Sequence, residues 1–500
     1  MGIVQKDAFR TTIISYLGII LGYLNKGFLF LIILSTEQIG LVNLVVSVGT
    51  LFAQFANLGT IYTTWKFFPF FKNPDKRHYG FLPLMLVVVM LGILLCTTFT
   101  IVFRENIEAM YASHSALFLD YYLWILPIGI SYVLFMVLEI YLRSFFKNIV
   151  SVVAFEIALR LILTILLFLL WFNLISFDTF LIVHSISYFV PTIILLIYLY
   201  QLGELNFSLS IIKIPKRFKR ILIQFSAFNY INTLGIVLVN SMDVMMIAQL
   251  VGLKETGIYT TIIFFTSAIS VPYKSIIRVA SPLIADYWKR REMKKIEELY
   301  QKVSSVALFV GFGTFVWVWL NIDFLFSFLK AEFGSGKWVF FFLMMGKLVD
   351  MFFGLNGSIF TTSKKYKYDI YFTLFLIFAV FGMNLRYIPM WGIPGAAIST
   401  SIALIVYNVG RILFVWFMFK IHPFTTNQFK LILIGLATLF IGIQMEGLSV
   451  NKWIQMLLET SLFIGGFLAP VYYFKLEPEV INYVNKGVVF VKEKTGFKKR

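Results

Sequence analysis

Long apolar segments alternate with short polar ones along almost the whole chain. A helix needs about 20 mostly apolar residues to cross the roughly 30 Å hydrocarbon core of a bilayer. Because every backbone N–H and C=O in lipid must be bonded within its own segment, such runs predict helices. The predicted spans are Thr12–Leu34, Ile39–Leu58, Phe81–Phe103, Ala116–Tyr141, Val150–Phe172, Phe177–Tyr200, Ile223–Met246, Thr256–Ile277, Val303–Leu320, Trp338–Phe360, Ile370–Tyr387, Pro394–Phe419, Phe429–Ile443 and Trp453–Phe474.

The composition supports this reading. Of the 500 residues, 59% are hydrophobic and 14% are charged, whereas soluble domains carry about 25% charged residues. A soluble core cannot hide so much apolar surface. We therefore expect an all-α polytopic membrane protein with about 14 transmembrane helices, without a soluble catalytic domain and without enzymatic activity.

The basic residues give the expected orientation. If the N terminus is cytoplasmic and the spans alternate, 33 of the 43 Lys and Arg residues fall on the cytoplasmic side, 6 on the outer side and 4 within spans. This distribution follows the positive-inside rule and predicts that both termini are cytoplasmic. The net charge of +18 therefore reflects orientation, and it does not indicate a nucleic-acid partner. The basic amphipathic run Pro282–Lys302 predicts a helix on the inner membrane surface.

The spans also look doubled. Glu37–Gly40 before the second span resembles Glu255–Gly257 before the eighth, and Phe145–Lys147 resembles Ser363–Lys365, with shifts of 217 and 218. Parallel repeats of this kind place a substrate site between the halves. The predicted organisation is a six-helix bundle (1–201), a cytoplasmic linker (202–220), a second, pseudo-symmetric six-helix bundle (221–420), two additional helices (421–475) and a basic cytoplasmic tail (476–500).

Polar residues recur at helical spacing on equivalent spans of the two halves, the first, second, seventh and eighth. Such stripes indicate either close helix packing with interhelical hydrogen bonds or the walls of a water-lined cavity. The candidate cavity residues are Asn25, Lys26, Asn43, Ser47, Gln54, Asn57, Asn229, Asn232, Lys274 and Arg278.

Charges within the spans are costly in hydrocarbon and often serve function. Glu156 and Arg160 are four residues apart, and Lys347 and Asp350 are three apart, so each couple can pair on one helix. Arg160 and Lys347 are retained as weaker candidates for substrate binding, and Arg411 is expected to reach the inner interface. Lys26 has no acid within a turn and lies about 14 residues, or roughly 21 Å of rise, from the start of its helix. It is the best candidate for an anion ligand, the alternative being a snorkelling or packing role.

Asp243 is an acid near the outer end of the seventh span, with no base within a turn. It could bind a coupling proton or sodium ion, latch an outer gate, or make a polar contact at a helix end. The sequence contains no paired His or Cys spacing for a metal site and no complete phosphate-binding loop, so neither a metal cofactor nor ATP hydrolysis is expected.

Several motifs together resemble one family. They are Asp243–Gly252 followed by Thr256–Tyr259, Ser281-Pro282 with the basic run to Tyr300, and Trp391–Thr400 with its Gly-Ala-Ala sequence. They resemble the Wzx-type O-antigen flippases, which are polysaccharide exporters of the MOP superfamily. That superfamily also contains the MATE multidrug exporters and the lipid II flippases.

The resemblance implies two helical bundles around a cavity that opens alternately to each side of a bacterial inner membrane. It implies as substrate an undecaprenyl-pyrophosphate-linked oligosaccharide for O-antigen, capsule or exopolysaccharide assembly. Membrane lipids, a polysaccharide polymerase and assembly proteins are the implied partners. The alternatives are a lipid II flippase, whose substrate has the same pyrophosphate-polyprenyl part, and a MATE-type multidrug cation antiporter.

Overall fold

The structure, a computed structural model, describes residues 2–74, 76, 78–145, 147–207, 216–445 and 451–481. Twelve of its helices are long and apolar enough to cross a membrane, and two bent helix pairs bring the number to 14. In chain order these are α1 Ile13–Ile33, α2 Thr36–Ala56, α3 His78–Val102, α4 Ala116–Arg143, α5 Asn148–Trp171, α6 Phe177–Gln201, α7 Arg220–Leu250, α8 Leu253–Ile269 with Val271–Arg290, α9 Met293–Leu320, α10 Ala331–Phe353 with Leu355–Thr362, α11 Tyr366–Trp391, α12 Ile393–Phe419, α13 Thr426–Met445 and α14 Lys452–Tyr473.

These helices confirm the predicted all-α membrane fold, span for span. Two features are additional. The axis of α8 bends by 49° between Ile269 and Val271, and that of α10 bends by 45° near Gly354. Hydropathy reports only how apolar a segment is, so neither bend is visible in the apolar pattern.

The predicted surface helix over Pro282–Lys302 is wrong as a single element. α8 continues to Arg290, Arg291 takes a left-handed conformation with φ 59°, and the next helix begins at Met293. The left-handed residue ends the first helix, because an L side chain cannot continue a right-handed helix from that conformation. The basic run therefore forms the adjoining ends of α8 and α9.

The chain divides into two compact units. Unit 1 consists of residues 1–261 and 377–396, and unit 2 of residues 262–376 and 397–500. The core of unit 1 lies around α2 and α4 and includes the buried aromatic side chains Phe68, Phe81 and Tyr141. The core of unit 2 includes Ile284, Tyr300 and Phe360. The predicted six-helix halves, with the linker at 202–220, stay a prediction.

Burial differs greatly among the spans. In α2, 67% of the most apolar stretch is buried within the protein, compared with 28% in α3 and 17% in α14. The exposed faces of the latter two carry Leu, Ile and Phe side chains, which suit contact with lipid. Among the polar residues of this region, Gln54 and Asn57 are buried, whereas Asn43, Ser47 and Thr50 are half-buried.

Candidate functional site

The site begins with a local widening of α1. Residues Tyr23–Leu29 form a π-helical segment, and a second π-helical segment, Val153–Ala158, lies in α5. Such segments interrupt the regular helical ladder and are frequent at functional sites. The first of them carries Asn25, which is buried, and Lys26, which is half-buried.

Lys26 is held by an amide on α2. Its Nζ donates to Asn43 Oδ1 at 2.9 Å. The amide nitrogen of Asn43 donates to Ile39 O at 2.9 Å and to Thr260 Oγ1 of α8 at 3.2 Å. Because the nitrogen is engaged elsewhere, the oxygen of Asn43 is fixed in the direction of the ammonium group.

Lys26 has no acidic partner. Among the described residues, no carboxylate lies within ion-pair distance of its Nζ. An ammonium group needs three acceptors, and the structure supplies one amide oxygen. The Lys26 ammonium group therefore has donor capacity left for an anion.

Arg160 on α5 is neutralised, in contrast. It forms an ion pair with Glu156 and donates to the carbonyl of Gly18, so the predicted pair on one helix is confirmed. Asn25 Nδ2 donates to Arg160 O at 2.8 Å, and Thr164 Oγ1 donates to Asn25 Oδ1 at 2.8 Å. These bonds join α1 to α5. The ion pair with Glu156 leaves Arg160 less available to an anionic ligand than Lys26 is.

The start of α2 crosses the start of α8 at two glycines. A Cβ on Gly40 would collide with the carbonyl oxygen of Leu253 and lie 2.9 Å from Gly257 N. A Cβ on Gly257 would collide with the carbonyl oxygen of Thr36 and lie 3.1 Å from Gly40 N. The pairs Thr36/Leu253, Gly40/Gly257 and Asn43/Thr260 are each separated by the 217 residues of the sequence repeat.

These contacts are reciprocal. Gly40 meets the backbone of Leu253, and the repeat equivalent of Gly40, Gly257, meets the backbone of Thr36, the repeat equivalent of Leu253. A local twofold relation produces this pattern. The crossing brings Thr260 to Asn43 and hence fixes the residue that holds Lys26. Only glycine lets the two backbones approach so closely.

The other polar residues of the predicted stripe differ in what they bind. Gln54 is buried, and its Nε2 has no hydrogen-bond partner among the described residues. Asn57 binds backbone groups instead, donating to Gln54 O at 2.7 Å and accepting from Gly59 N at 2.8 Å. Ser47 is half-buried, and Thr50 donates to its carbonyl.

Two candidates lie on α7. Asn229 is half-buried, and its amide donates to Phe225 O at 2.8 Å. The side chain of Asn232 lies outside the described part of the chain.

Asp243 is buried near the end of α7. Its Oδ1 accepts from Asn384 Nδ2 at 2.8 Å and its Oδ2 accepts from Tyr259 OH at 2.6 Å. Asn384 of α11 and Tyr259 of α8 thus bring two neutral donors to this carboxylate. Carboxylate, amide and phenol oxygens together are suited to a proton or a small cation.

Unit 2 holds the remaining basic candidates. Lys274 and Arg278 are exposed on α8, and Lys347 is half-buried on α10. Lys347 does not form the predicted pair with Asp350, whose Oδ1 accepts instead from Asn408 Nδ2 of α12 at 3.1 Å.

Arg411 does not reach the interface as expected. It is buried in unit 2, where its guanidinium lies 3.0 Å from Asp369 Oδ1 and donates to Tyr407 OH at 2.8 Å. A carboxylate on α11 is thus the partner, and sequence spacing could not indicate it because the two residues are on different helices.

A comparison with known families matches residues 4–288 to the family described as polysaccharide biosynthesis protein. The match covers more than half of the chain. The chain belongs to this family. The family resemblance that the sequence motifs indicated is therefore confirmed.

Solved structures agree on the fold of this polysaccharide biosynthesis protein. The lipid II flippase MurJ in an inward closed conformation has a TM-score of 0.65 and 16% identity, over 93% of this chain and 99% of that one. An inward-facing multidrug resistance MATE family transporter of the MOP superfamily has a TM-score of 0.62 and 14% identity, over 80% and 94%. A MOP superfamily transporter from Pyrococcus furiosus has a TM-score of 0.55 and 14% identity, over 83% and 96%.

These likenesses show that the chain shares the fold of these multi-pass membrane proteins. A search of curated protein sequences found no match.

Sequence reasoning found the charged members of these clusters and missed most of their neutral partners. Thr260, Thr164, Asn384 and Asn408 all bind candidate residues from another helix. One signal was available: the 217-residue shift relates Asn43 directly to Thr260. The other three pairs depend on helix packing alone.

Proposed function

We propose that this protein flips an undecaprenyl-pyrophosphate-linked oligosaccharide across the bacterial inner membrane by alternating access, for surface polysaccharide assembly. The family supports a role in polysaccharide biosynthesis, and the fold supports a transporter. This proposal includes the identity of the substrate, the O-antigen, capsule or exopolysaccharide pathway, and the cytoplasmic position of both termini.

The observation that carries the proposal is the position of the Lys26 ammonium group, which has an amide partner and no carboxylate partner among the described residues. An ammonium group in the middle of a span is costly unless water, a partner or a ligand solvates it. Asn43 provides one acceptor, and no carboxylate of the described residues provides another. A pyrophosphate supplies several anionic oxygens, and the attraction between opposite charges is stronger there than in bulk water.

The weaker cationic candidates follow from the same argument. Lys274 and Arg278 are exposed and Lys347 has no ion pair among the described residues, so each could assist the pyrophosphate at another stage of transport. Arg160 is the weakest of them because Glu156 already neutralises it. The amides of Asn25, Gln54, Asn229 and Asn232, with the Ser47 hydroxyl, suit the sugar hydroxyls.

A lipid II flippase is the second candidate. One observation favours it: the likeness to MurJ extends over 93% of the chain, whereas that to the MATE transporter covers 80%. Both substrates share the pyrophosphate-polyprenyl part, so Lys26 would serve either. A MATE-type cation antiporter is less well supported, because Glu156 and Asp369 are each paired with an arginine.

The energy source is part of the proposal. The Asp243 carboxylate, with Asn384 and Tyr259, is the candidate site for a coupling proton or sodium ion. No other cofactor is proposed. Membrane lipids and, through the pathway, a polysaccharide polymerase with its assembly proteins are the proposed partners.

Substitution of Lys26 tests the substrate. Lys26→Ala should abolish surface polysaccharide when it replaces the wild-type protein in a flippase-deficient strain, because the pyrophosphate loses its cation. Lys26→Arg should retain part of the activity, since the charge is kept. Membrane protein level is measured in parallel, and Lys452→Ala, which removes an exposed lysine, is the matched control.

Full surface polysaccharide from Lys26→Ala would defeat the proposal, and Lys26 would then be a packing or snorkelling residue. Complementation of a strain depleted of its lipid II flippase separates the two candidates. Rescue of cell-wall synthesis without rescue of surface polysaccharide would establish the second.

A further inference from the structure

A cavity that does not include Lys26 opens in unit 1 at the opposite end of α1 from the N terminus. Its volume is about 300 Å³, and its walls come from Ile32 and Ile33 of α1, Gln38 of α2, and Leu170, Trp171 and Asn173 at the end of α5. This volume is at the lower end of the range for small-molecule sites. The positive-inside distribution assigns this end of the helices to the outer side of the membrane.

The lining is apolar on one side and carries neutral amides on the other. Trp171 is 50% exposed, and its indole stacks on Phe168 and Phe172 with ring centroids 6.0 Å apart in both cases. Asn173 is exposed and adopts a left-handed conformation, φ 56°, where the helix ends. The exposed indole therefore offers an apolar ring face beside an amide.

The amide of Gln38 is held in a fixed orientation. Its Oε1 accepts from Ser35 N at 2.9 Å, while Ser35 Oγ accepts from Gln38 N at 3.1 Å, a capping box at the start of α2. Because the oxygen is engaged by the helix cap, the NH₂ group remains available to a ligand. A preorganised donor of this kind loses little entropy when a ligand binds.

Of the residues that the structure describes, those lining the cavity are all uncharged. A phospholipid headgroup carries a phosphate and would need a cationic or dipolar partner, and an acyl chain would leave the amides without a partner. A sugar ring fits better, since it has an apolar C–H face for the indole and hydroxyl groups for the amides.

We propose that this cavity, the Trp171 cavity, binds a sugar ring of the glycan on the outer side of the membrane. The inference rests on the proposed function and deepens it, because it adds a position for the glycan after its lipid anchor has crossed. Lys26 would bind the pyrophosphate, and the Trp171 cavity would bind a neutral sugar.

The test uses the full-length protein in lipid nanodiscs and, as probe, the lipid-free oligosaccharide released from the surface polysaccharide of the native host. Saturation-transfer NMR reports which sugar protons contact the protein. We expect the wild type to bind the oligosaccharide. We expect Trp171→Ala to bind it with an affinity lower by a factor of about ten or more. Trp453→Ala is the matched control, because Trp453 is another tryptophan, 59% exposed on α14, that does not line the cavity.

A second variant separates binding from folding. Gln38→Glu keeps an oxygen for Ser35 N and so preserves the helix cap, but it replaces the NH₂ donor by an acceptor. We expect this variant to fold normally and to bind the oligosaccharide more weakly than the wild type.

Absence of saturation transfer from the wild-type protein to the oligosaccharide would overturn the sugar site, as would equal affinities of wild type and Trp171→Ala. Trp171 would then be an interfacial anchor. If Lys26→Ala still abolished surface polysaccharide, the proposed function would stand without this site.

Discussion

The interior cations of the two units are stabilised in opposite ways. In unit 1, Lys26 donates one hydrogen bond to the Asn43 amide oxygen, and no described carboxylate pairs with it. In unit 2, Arg411 is enclosed by the Asp369 carboxylate at 3.0 Å and by the Tyr407 hydroxyl at 2.8 Å. A buried charge that has its counter-ion supports the fold, whereas one that lacks it is suited to an external ligand.

Removing the counter-ion should give the largest effect on stability. Asp369→Ala leaves the Arg411 guanidinium buried and unpaired, which destabilises proteins by about 3–5 kcal/mol. Lys26→Ala should leave stability unchanged, because it removes an unpaired charge. Thermal unfolding of both variants in detergent, with the membrane level in cells, measures the difference.

A double substitution provides the control. Arg411→Met with Asp369→Leu removes both charges and should recover most of the lost stability. The comparison between the units fails if Lys26→Ala destabilises the protein as strongly as Asp369→Ala does.

The glycine crossing should come next in size. Gly40→Ala places a methyl group against the carbonyl of Leu253, and overpacking of this kind costs about 1–3 kcal/mol or more when backbone must move. It should also separate Thr260 from Asn43 and so lower transport through the Lys26 site. Thermal unfolding and the surface polysaccharide assay report the two effects.

Gly382→Ala is the matched control, because a Cβ at this position of α11 meets nothing within 4 Å. It should be neutral, or slightly stabilising, since alanine is the better helix former. Equal unfolding temperatures of the two variants would show that the α2–α8 crossing tolerates a side chain.

The sequence predicts the transmembrane helices better than it predicts which residues bind the charged side chains within them. Apolar length fixed the spans because the bilayer thickness requires it. Helical spacing likewise predicted the Glu156–Arg160 pair. The partners of Arg411 and Asp243 come from other helices, and the rotation and depth of one helix against another depend on side-chain packing. The π-helical segment around Lys26 has no sequence signal of comparable strength.

Asp243 is a buried carboxylate that accepts hydrogen bonds from Asn384 and Tyr259. We expect Asp243→Asn to fold, because an amide can replace most of the hydrogen bonds at a cost of about 1–3 kcal/mol. It should, however, lose the response of transport to a proton or sodium gradient. Tyr259→Phe removes one hydrogen bond at 2.6 Å but keeps the charge, so it should retain that response. An unchanged gradient response in Asp243→Asn would remove the coupling role.

The smallest expected effect concerns Glu477, a buried acid outside the spans. Its carboxyl group contacts Ser305 of α9, its Oε2 has no partner among the described residues, and the adjacent Glu479 pairs with Lys302 at 2.8 Å. Burial, with a smaller contribution from the charge of Glu479, raises the pKa of Glu477 from 4.5 to about 7. A bound proton neutralises the Glu477 carboxylate, as a pyrophosphate is proposed to neutralise the charge of Lys26.

The direction of the pH effect follows from the raised pKa. Residues 476–481 pack against α9 through Glu477 and Glu479. Between about pH 4.5 and pH 7, Glu477 retains a proton in this packed position that it loses when the segment separates from α9. The packing therefore weakens as pH rises through this window. Hydrogen exchange of residues 476–481, corrected for intrinsic rates, should show stronger protection at pH 5 than at pH 8. Glu477→Gln should remove this difference, whereas Glu479→Gln should weaken docking at both pH values and keep the difference. Equal protection of wild-type residues 476–481 at pH 5 and pH 8 would contradict this prediction. Glu477 would then be ionised while it contacts α9, and its surroundings would stabilise the charge as Asp369 stabilises that of Arg411.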